Sequence, residues 1–254
     1  MTRILAIANQ KGGVGKTTTG VNLAASFAAA HRRVLLVDLD PQGNATMGSG
    51  VDKRALTHSI YHVLVGLSEP AAVRVRSERG GYDMLPSNRE LAGAEVELVN
   101  MDRRELRLKE ALAPLAPDYD FILIDCPPAL SLLTVNAFAA AQSVMIPMQC
   151  EYYALEGLSD LVNTIKRVRA HLNPDLEIEG LLRTMFDPRN TLAQQVSAQL
   201  LQHFGDKVYR TVIPRNVRLA EAPSYGIPVI EFDRASKGAQ AYLALAGEML
   251  NRGA

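Results

Sequence analysis

The amino-acid sequence predicts an α/β fold, in which a mostly parallel, twisted central sheet carries helices on both faces, within one domain spanning residues 1–254. Two observations support this class. Short apolar runs recur along the chain without the alternation of a half-exposed strand, which is typical of strands covered on both faces. Stretches with apolar residues at helical spacing separate these runs, and that order favours parallel strands joined by right-handed crossovers.

The predicted elements follow one another along the whole chain. Strands are predicted over residues 3–8, 34–38, 82–85, 121–125, 143–147, 178–186 and 208–213. Helices are predicted over residues 17–31, 89–115, 155–172 and 237–252. Within residues 43–79, glycines and Pro70 break the pattern into short pieces, so no element is assigned there.

The uncharged segment from residue 126 to residue 150 is long enough to cross a bilayer. Three prolines interrupt it, and so do Asn136 and Gln142, which favours a buried helix followed by a buried strand. The first residues of the chain also lack the apolar stretch of an export signal. We therefore expect a cytoplasmic protein with no membrane partner.

Charge and cysteine content argue against several classes of function. The 27 Lys and Arg residues balance the 27 Asp and Glu residues, so bulk positive charge does not hold nucleic acid, although a local basic patch is still compatible with the composition. The two cysteines, Cys126 and Cys150, form no CxxC pair, so neither a disulfide framework nor a cysteine-bound metal is indicated. A reducing compartment fits this content.

The strongest functional signal is the segment QKGGVGKTT at residues 10–18, between the first predicted strand and the first predicted helix. Glycines in that position let backbone N–H groups surround phosphate oxygens, while Lys16 reaches the outer phosphates and Thr17 offers a hydroxyl to Mg²⁺. A glycine turn that merely joins strand to helix is the alternative, which the Gly-Lys-Thr sequence disfavours. The predicted phosphate-binding residues of this loop are Gly12, Gly13, Val14, Gly15, Lys16, Thr17 and Thr18.

This segment departs from the general pattern G-x-x-x-x-G-K-[ST], because Gln10 replaces the first glycine and Lys11 adds a second lysine. Three more segments follow it in order: DLDPQGN at residues 38–44, FILIDCPP at residues 121–128 and IPRNVRLAEAPS at residues 213–224. With these four segments the chain resembles the ParA family of DNA-partitioning ATPases, within the wider class that includes MinD and the nitrogenase iron protein. The resemblance implies a P-loop NTPase that uses ATP and Mg²⁺.

The resemblance also implies a dimer that sandwiches two ATP molecules, in which Lys11 contacts the phosphates held by the other subunit. Such a lysine would act as a counterpart of an arginine finger supplied in trans. The alternative for Lys11 alone is a solvated loop lysine.

Three aspartates are candidates for the metal site and the catalytic step. Asp38 and Asp125 end apolar runs, and ligands of parallel sheets bind at the carboxyl ends of strands, so both are expected to reach the Mg²⁺ shell. In the family, the aspartate that matches Asp40 helps to position the attacking water. The resemblance thus gives Lys11, Lys16 and Asp40 as the catalytic set. Because Asp-Pro-Gln-Gly is also good turn chemistry, a turn role is the alternative for Asp40.

The final matching segment contains the predicted base site and part of the predicted DNA site. Pro214, Arg215 and Asn216 resemble the adenine-contacting loop of the family. Residues 207–220 contain four cations and no acid, and such cations neutralise DNA phosphates without reading sequence. The predicted DNA contacts are Arg189, Arg218 and then Arg215, with an ordinary solvated basic loop as the alternative.

The resemblance implies an ATPase for chromosome partitioning that binds double-stranded DNA non-specifically on the nucleoid and is released when a ParB-like centromere-binding partner stimulates hydrolysis. A MinD-like membrane-positioning ATPase is an alternative that needs a basic amphipathic C-terminal helix, whereas residues 237–252 show core-packing spacing. A reductase or metal-cluster carrier like the nitrogenase iron protein is a further alternative, but it needs cysteines at the dimer interface, which this sequence lacks. A ParA-like ATPase that positions a plasmid or a protein cargo is the remaining alternative; a first strand at residue 3, with no helix-turn-helix ahead of it, favours the chromosomal form.

Overall fold

The computed structural model describes residues 2–152 and 154–252. Within these residues eight strands form one sheet in the order β3-β4-β2-β5-β1-β6-β7-β8, and every neighbouring pair is parallel except β3 with β4. The strands are β1 Arg3–Ile7, β2 Val34–Asp38, β3 Val75–Ser77, β4 Tyr82–Leu85, β5 Phe121–Asp125, β6 Ser143–Met148, β7 Glu177–Phe186 and β8 Val208–Pro214. The predicted α/β class with a mostly parallel sheet is confirmed.

Twelve α-helices lie in the described part of the chain, and most of them connect one strand to the next. They are α1 Lys16–Ala29, α2 Asn44–Gly48, α3 Ile60–Leu64, α4 Pro70–Val73, α5 Leu91–Leu98, α6 Arg107–Leu112, α7 Leu132–Ala140, α8 Ala154–His171, α9 Thr191–Phe204, α10 Val217–Glu221, α11 Val229–Phe232 and α12 Lys237–Arg252. None of the helices in this part of the chain has both the length and the apolar character that a bilayer span requires.

Two hydrophobic cores lie on opposite faces of the sheet, because alternate strand residues point to opposite sides. Leu5 and Ile7 of β1 belong to the core shared with α1, α11 and α12, whereas Ala6 belongs to the core shared with α3 and α5 to α9. Phe27 of α1 stacks on Phe121 of β5, with ring centroids 4.1 Å apart. Each fully buried side chain of this size contributes roughly 1.5–3 kcal/mol, so both helical layers are held firmly against the sheet.

The prediction of one long helix over residues 89–115 is wrong. The structure has α5 and α6, with a turn between them in which Arg103 adopts a φ of 53°. The side chain of Asn136 accounts for the break: its Oδ1 accepts from the Leu108 N–H at 3.1 Å, and its Nδ2 donates to the Arg104 carbonyl at 2.8 Å. A side chain from α7 thus satisfies backbone groups that a continuous helix would have paired internally.

The structure also adds one strand to the seven predicted. Residues 75–77 pair with β4 as an antiparallel edge, and the ion pair between Arg76 and Asp83 at 3.0 Å joins the two strands. This strand has three residues and lies in the glycine-interrupted region 43–79, which explains why its pattern was not recognisable. The uncharged segment 126–150 forms α7 and then β6, as predicted.

The register of the central strands determines where the functional site lies. Asp38, the last residue of β2, is opposite Asp125, the last residue of β5, and Asp125 is in turn opposite Ile7 at the end of β1. The loop from β1 to α1 therefore begins beside two carboxylates.

Candidate active site

The loop between β1 and α1 has the backbone of a phosphate site. Gly13 and Gly15 have φ values of 74° and 89°, a region that favours glycine, and Gly15 is the N-terminal capping residue of α1. No side chain caps this helix. The first N–H groups of α1 are thus available to an anion, as expected from the sequence.

Lys16 is the lysine that the loop encloses. It is 7% exposed, and its Nζ donates to the Lys11 carbonyl at 3.1 Å, across the loop. Burial lowers the pKa of Lys16, while the carboxylate of Asp125 opposes this shift. When a phosphate enters the loop, the Lys16 ammonium group can leave the Lys11 carbonyl and donate to phosphate oxygens instead.

The two strand-end carboxylates, Asp38 and Asp125, are both fully buried, but their surroundings differ. Oδ2 of Asp38 accepts from the N–H and the hydroxyl of Thr46 at 2.8 and 2.7 Å, and its Oδ1 accepts from the Asp40 N–H at 3.2 Å. Among the described residues Asp125 has no comparable set of donors, and the groups that favour its charged form are the Thr17 hydroxyl and the Lys16 ammonium. Burial raises the pKa of Asp38 to about 6. Burial and the neighbouring Asp38 raise the pKa of Asp125 well above its usual value, and Thr17 and Lys16 oppose that shift. Asp125 is thus the less compensated of the two carboxylates.

Asp40 lies in a turn and also faces the cleft, so the structure is compatible with both predicted roles. Its carbonyl accepts from the Gly43 N–H at 2.9 Å, and its Oδ1 accepts from the Gln42 N–H at 2.9 Å. The side chain lines the same cleft as the phosphate loop.

A cleft of about 440 Å³ joins the phosphate loop to the predicted base site. One wall consists of the phosphate loop and Asp40, and the other includes Pro214, Arg215 and Asn216. Asn216 lines the cleft, and its Oδ1 atom is buried beside Gly238 of α12 with no hydrogen-bond partner among the described residues. An amide side chain at a cleft wall carries both a donor and an acceptor, which suits the polar edge of a nucleobase.

Lys11 lies at the rim of the loop and forms an ion pair with Glu151. The two side chains are 47% and 49% exposed. A pair this exposed contributes no more than about 1 kcal/mol, so Lys11 can leave Glu151 at little cost.

The predicted DNA-binding arginines are exposed, and two of them have acidic partners. Arg189 pairs with Asp187 at 2.8 Å, and Arg218 pairs with Glu221 at 2.8 Å and with Asp233 at 3.2 Å. The hydrogen bonds from Arg189 lower the pKa of Asp187 to about 2, and Arg215 contributes to that shift. The positive charge of this region is therefore smaller than a count over residues 207–220 indicates.

Several residues that line the cleft were not predicted as site residues, and two of them lie on β7. Thr184, which is 2% exposed, donates its hydroxyl to the Val14 carbonyl at 2.8 Å and so ties the phosphate loop to β7. Met185 follows with a φ of 49° and lines the cleft. Both belong to a predicted strand, but no local motif marks them, since the partner of Thr184 lies 170 residues earlier in the chain.

Fold and cleft together define the chain as a P-loop NTPase. A family model described as an AAA domain matches residues 2–178. Chromosome partitioning protein ParA from Myxococcus xanthus is 54% identical over 250 residues, which cover 98% of this chain and 88% of that protein. Sporulation initiation inhibitor protein Soj from Bacillus subtilis is 54% identical over 253 residues, which cover 100% of both chains. The chain belongs to the ParA family of chromosome-partitioning ATPases.

A solved structure agrees with this assignment of the fold. The crystal structure of cobyrinic acid a,c-diamide synthase from Mycobacterium smegmatis, with bound ADP and magnesium, is 42% identical in sequence. It superposes over 100% of this chain and 96% of its own, with a TM-score of 0.88.

Replacing Asp125 with Asn is expected to stabilise the protein without nucleotide and to abolish the effect of Mg²⁺. The substitution removes a buried negative charge that lies opposite Asp38, and a gain of about 1 kcal/mol would raise the unfolding midpoint by roughly 2–4 °C. Thermal unfolding, with ATP plus Mg²⁺ and with ATP plus EDTA, measures both effects. Asp120→Asn is the matched control with the opposite sign, because Asp120 accepts from the Arg33 N–H at 2.8 Å. A less stable Asp125→Asn protein that keeps its response to Mg²⁺ would contradict the prediction.

Replacing Thr184 with Val is expected to weaken ADP binding about tenfold, which corresponds to about 1.4 kcal/mol. Valine has the same shape but leaves the Val14 carbonyl buried without its partner, so the phosphate loop loses its link to β7. Calorimetric titration with ADP measures the affinity. Thr184→Ser keeps the hydroxyl and should bind ADP as the unchanged protein does. Equal ADP affinity in the Val variant would show that the link does not set the loop conformation.

Proposed function

We propose that the chain couples ATP hydrolysis to the partitioning of a chromosome. Its ATP-bound form pairs with a second copy, holds double-stranded DNA non-specifically on the nucleoid, and leaves the DNA when a ParB-like centromere-binding partner stimulates hydrolysis. The observation that carries the proposal is the cleft, in which the phosphate loop, Asp40 and residues 214–216 meet. Membership of the ParA family supports the same function.

The described residues fit ATP and Mg²⁺. The cleft is lined by the phosphate loop, whose helix has no capping side chain, and by Pro214, Arg215 and Asn216, which suits a nucleotide with its phosphates at α1. Thr17 and Asp125 would hold Mg²⁺, and Asp38 retains one acceptor position on Oδ1 through which a water could reach the ion. Bound Mg²⁺ would neutralise part of the negative charge on the phosphates.

The chain's own residues divide the chemistry between them. Lys16, already enclosed by the loop, neutralises charge on the outer phosphates. Asp40 accepts a hydrogen bond from the attacking water and orients it towards the terminal phosphate. Lys11 is half-exposed at the rim and paired with the half-exposed Glu151, so it is available to the phosphates of a second copy. Hydrolysis then depends on the assembly of two chains.

A membrane-positioning role finds less support in the structure. Helix α12 buries Ala239, Tyr242, Leu245, Ala246 and Met249, and it packs against α1 and β8. Its apolar face is therefore already used by the fold and is not presented to a bilayer.

Replacing Asp40 with Ala is expected to preserve ATP binding and ATP-dependent pairing while turnover falls at least about 100-fold. The side chain accepts from a backbone N–H of its own turn and makes no part of the phosphate loop, so its loss leaves the nucleotide contacts in place. Phosphate release measures turnover, and light scattering with ATP measures pairing. Lys16→Ala is the contrasting variant, since it should weaken nucleotide binding itself. Normal turnover by the Asp40→Ala protein would remove Asp40 from the catalytic set.

ATP-dependent retention of non-specific duplex DNA is expected to depend on Arg189 and Arg218. Reversing both charges in both copies of an ATP-joined pair removes up to four phosphate contacts. The slope of log affinity against log salt concentration should therefore decrease in magnitude by as much as about 3.6. Surface plasmon resonance across a salt series, with ATP or ADP, measures this slope. Anionic liposomes are tested in parallel, and liposome retention without DNA retention would favour the membrane-positioning alternative.

A double reversal at Arg54 and Arg76 is the matched control for this experiment. Arg54 pairs with Asp52 through the same three hydrogen bonds that join Arg189 to Asp187, and Arg76 resembles Arg218 in exposure. The control changes the net charge by the same amount but leaves Arg189 and Arg218 unchanged. It should therefore keep most of the DNA affinity. Equal losses in both double variants would show that total charge, and not the predicted patch, governs retention.

A further inference from the structure

The turn that carries Asp40 is held by a residue outside every recognised motif. Ser87 follows β4 and Pro86, and it is fully buried. Its hydroxyl donates to the backbone carbonyl of Asp40 at 2.8 Å, and the same carbonyl accepts from the Gly43 N–H at 2.9 Å. Two donors thus fix the backbone of Asp40, one from within the turn and one from the segment that follows β4.

The backbone of Ser87 is joined to the other end of the same loop. Its N–H donates to Oγ1 of Thr46 at 2.9 Å, and the Thr46 hydroxyl donates to Oδ2 of Asp38 at 2.7 Å. Because all these groups are buried, each bond is protected from competition with water. Ser87 therefore connects Asp40 with Thr46 and, through it, with Asp38.

Close packing removes the remaining freedom of the turn. Gly43 has a φ of 60°, and a Cβ atom at this position would lie 2.7 Å from the carbonyl oxygen of Ser87. The turn thus rests directly on the backbone of Ser87 and requires a glycine to do so. Ser87 itself does not line the cleft.

We propose that Ser87 is a positioning residue for ATP hydrolysis, which acts by fixing the backbone of Asp40. The inference rests on the water-positioning role proposed for Asp40. Orientation of the reacting groups accounts for much of a rate enhancement, and a displacement of about 1 Å can lower a rate about 100-fold. Loss of the hydroxyl leaves the Asp40 carbonyl with one donor, so the turn can shift while the phosphate loop is unchanged.

Ser87→Ala is expected to lower turnover by about 10- to 100-fold and to leave the ATP dissociation constant within about twofold, since Ser87 does not itself line the cleft and its hydroxyl contacts the backbone of Asp40. Single-turnover phosphate release from radiolabelled ATP and calorimetric titration give the two quantities. Ser87→Cys keeps a weak donor of similar size and should give an intermediate rate. This second variant also serves if the alanine protein folds poorly.

Ser77→Ala is the matched control. The Ser77 hydroxyl is also buried and donates to a backbone carbonyl, that of Ser49, at 2.8 Å. That bond lies beyond the C-terminal end of α2, whereas Asp40 precedes its N-terminal end. Both alanine variants should lose similar thermal stability, but turnover should fall in Ser87→Ala alone. Similar turnover in the two variants would overturn the proposal and leave Ser87 a purely structural residue.

The double variant Asp40→Ala, Ser87→Ala tests whether Ser87 acts through Asp40. If it does, Ser87→Ala changes turnover by less than about twofold in the Asp40→Ala background, because residues that act as a unit are not additive. A further fall by the full single-variant factor would overturn the inference while the role of Asp40 stands. Normal turnover in the Asp40→Ala single variant would instead overturn the proposed mechanism, so the two failures are distinguishable.

Discussion

The site depends on two carboxylates buried side by side at the ends of adjacent parallel strands. The register that pairs Asp38 with Asp125 excludes water from both groups, and this burial raises the pKa of each. The fold compensates them unequally: Asp38 accepts three hydrogen bonds, whereas Asp125 is favoured by the Thr17 hydroxyl and by the more distant charge of Lys16. A further cation beside Asp125 would relieve the remaining unfavourable interaction between two buried carboxylates.

The hydrogen bonds of Asp38 also shape the loop from Asp38 to Thr46. They hold Thr46 at one end of this loop and the N–H of Asp40 near the other, and Ser87, which follows β4, joins the same network. The proposed metal site and the proposed water-positioning residue thus share one set of buried and partly buried bonds. Such a network transmits a displacement between its members, because few of its groups have an alternative partner.

The sequence predicted the elements and residues that depend on local patterns. Seven of the eight strands and the glycine-rich loop follow from apolar runs, spacing and turn chemistry, and the shared sheet edge of Asp38 and Asp125 follows from strand order. It did not predict Thr184 or Ser87, whose hydroxyls reach carbonyls 170 and 47 residues away. The break between α5 and α6 was missed for the same reason, since Asn136 comes from another helix. Hydrogen bonds between residues far apart in the sequence produce no periodic pattern from which they could be predicted.

The charge distribution gives a physical reason why the proposed DNA binding would depend on pairing. Residues 207–220 contain no acid, yet the fold brings Glu221 and Asp233 to Arg218, Asp187 to Arg189 and Glu177 to Lys207. These carboxylates would compete with DNA phosphates for the same donors, so one chain would offer weak, salt-sensitive contacts. Joining two chains, as proposed, would make the second set of contacts intramolecular and multiply the affinity without any new residue. Weak contacts in each copy would then be an advantage, because separation of the pair after hydrolysis would suffice to release the DNA.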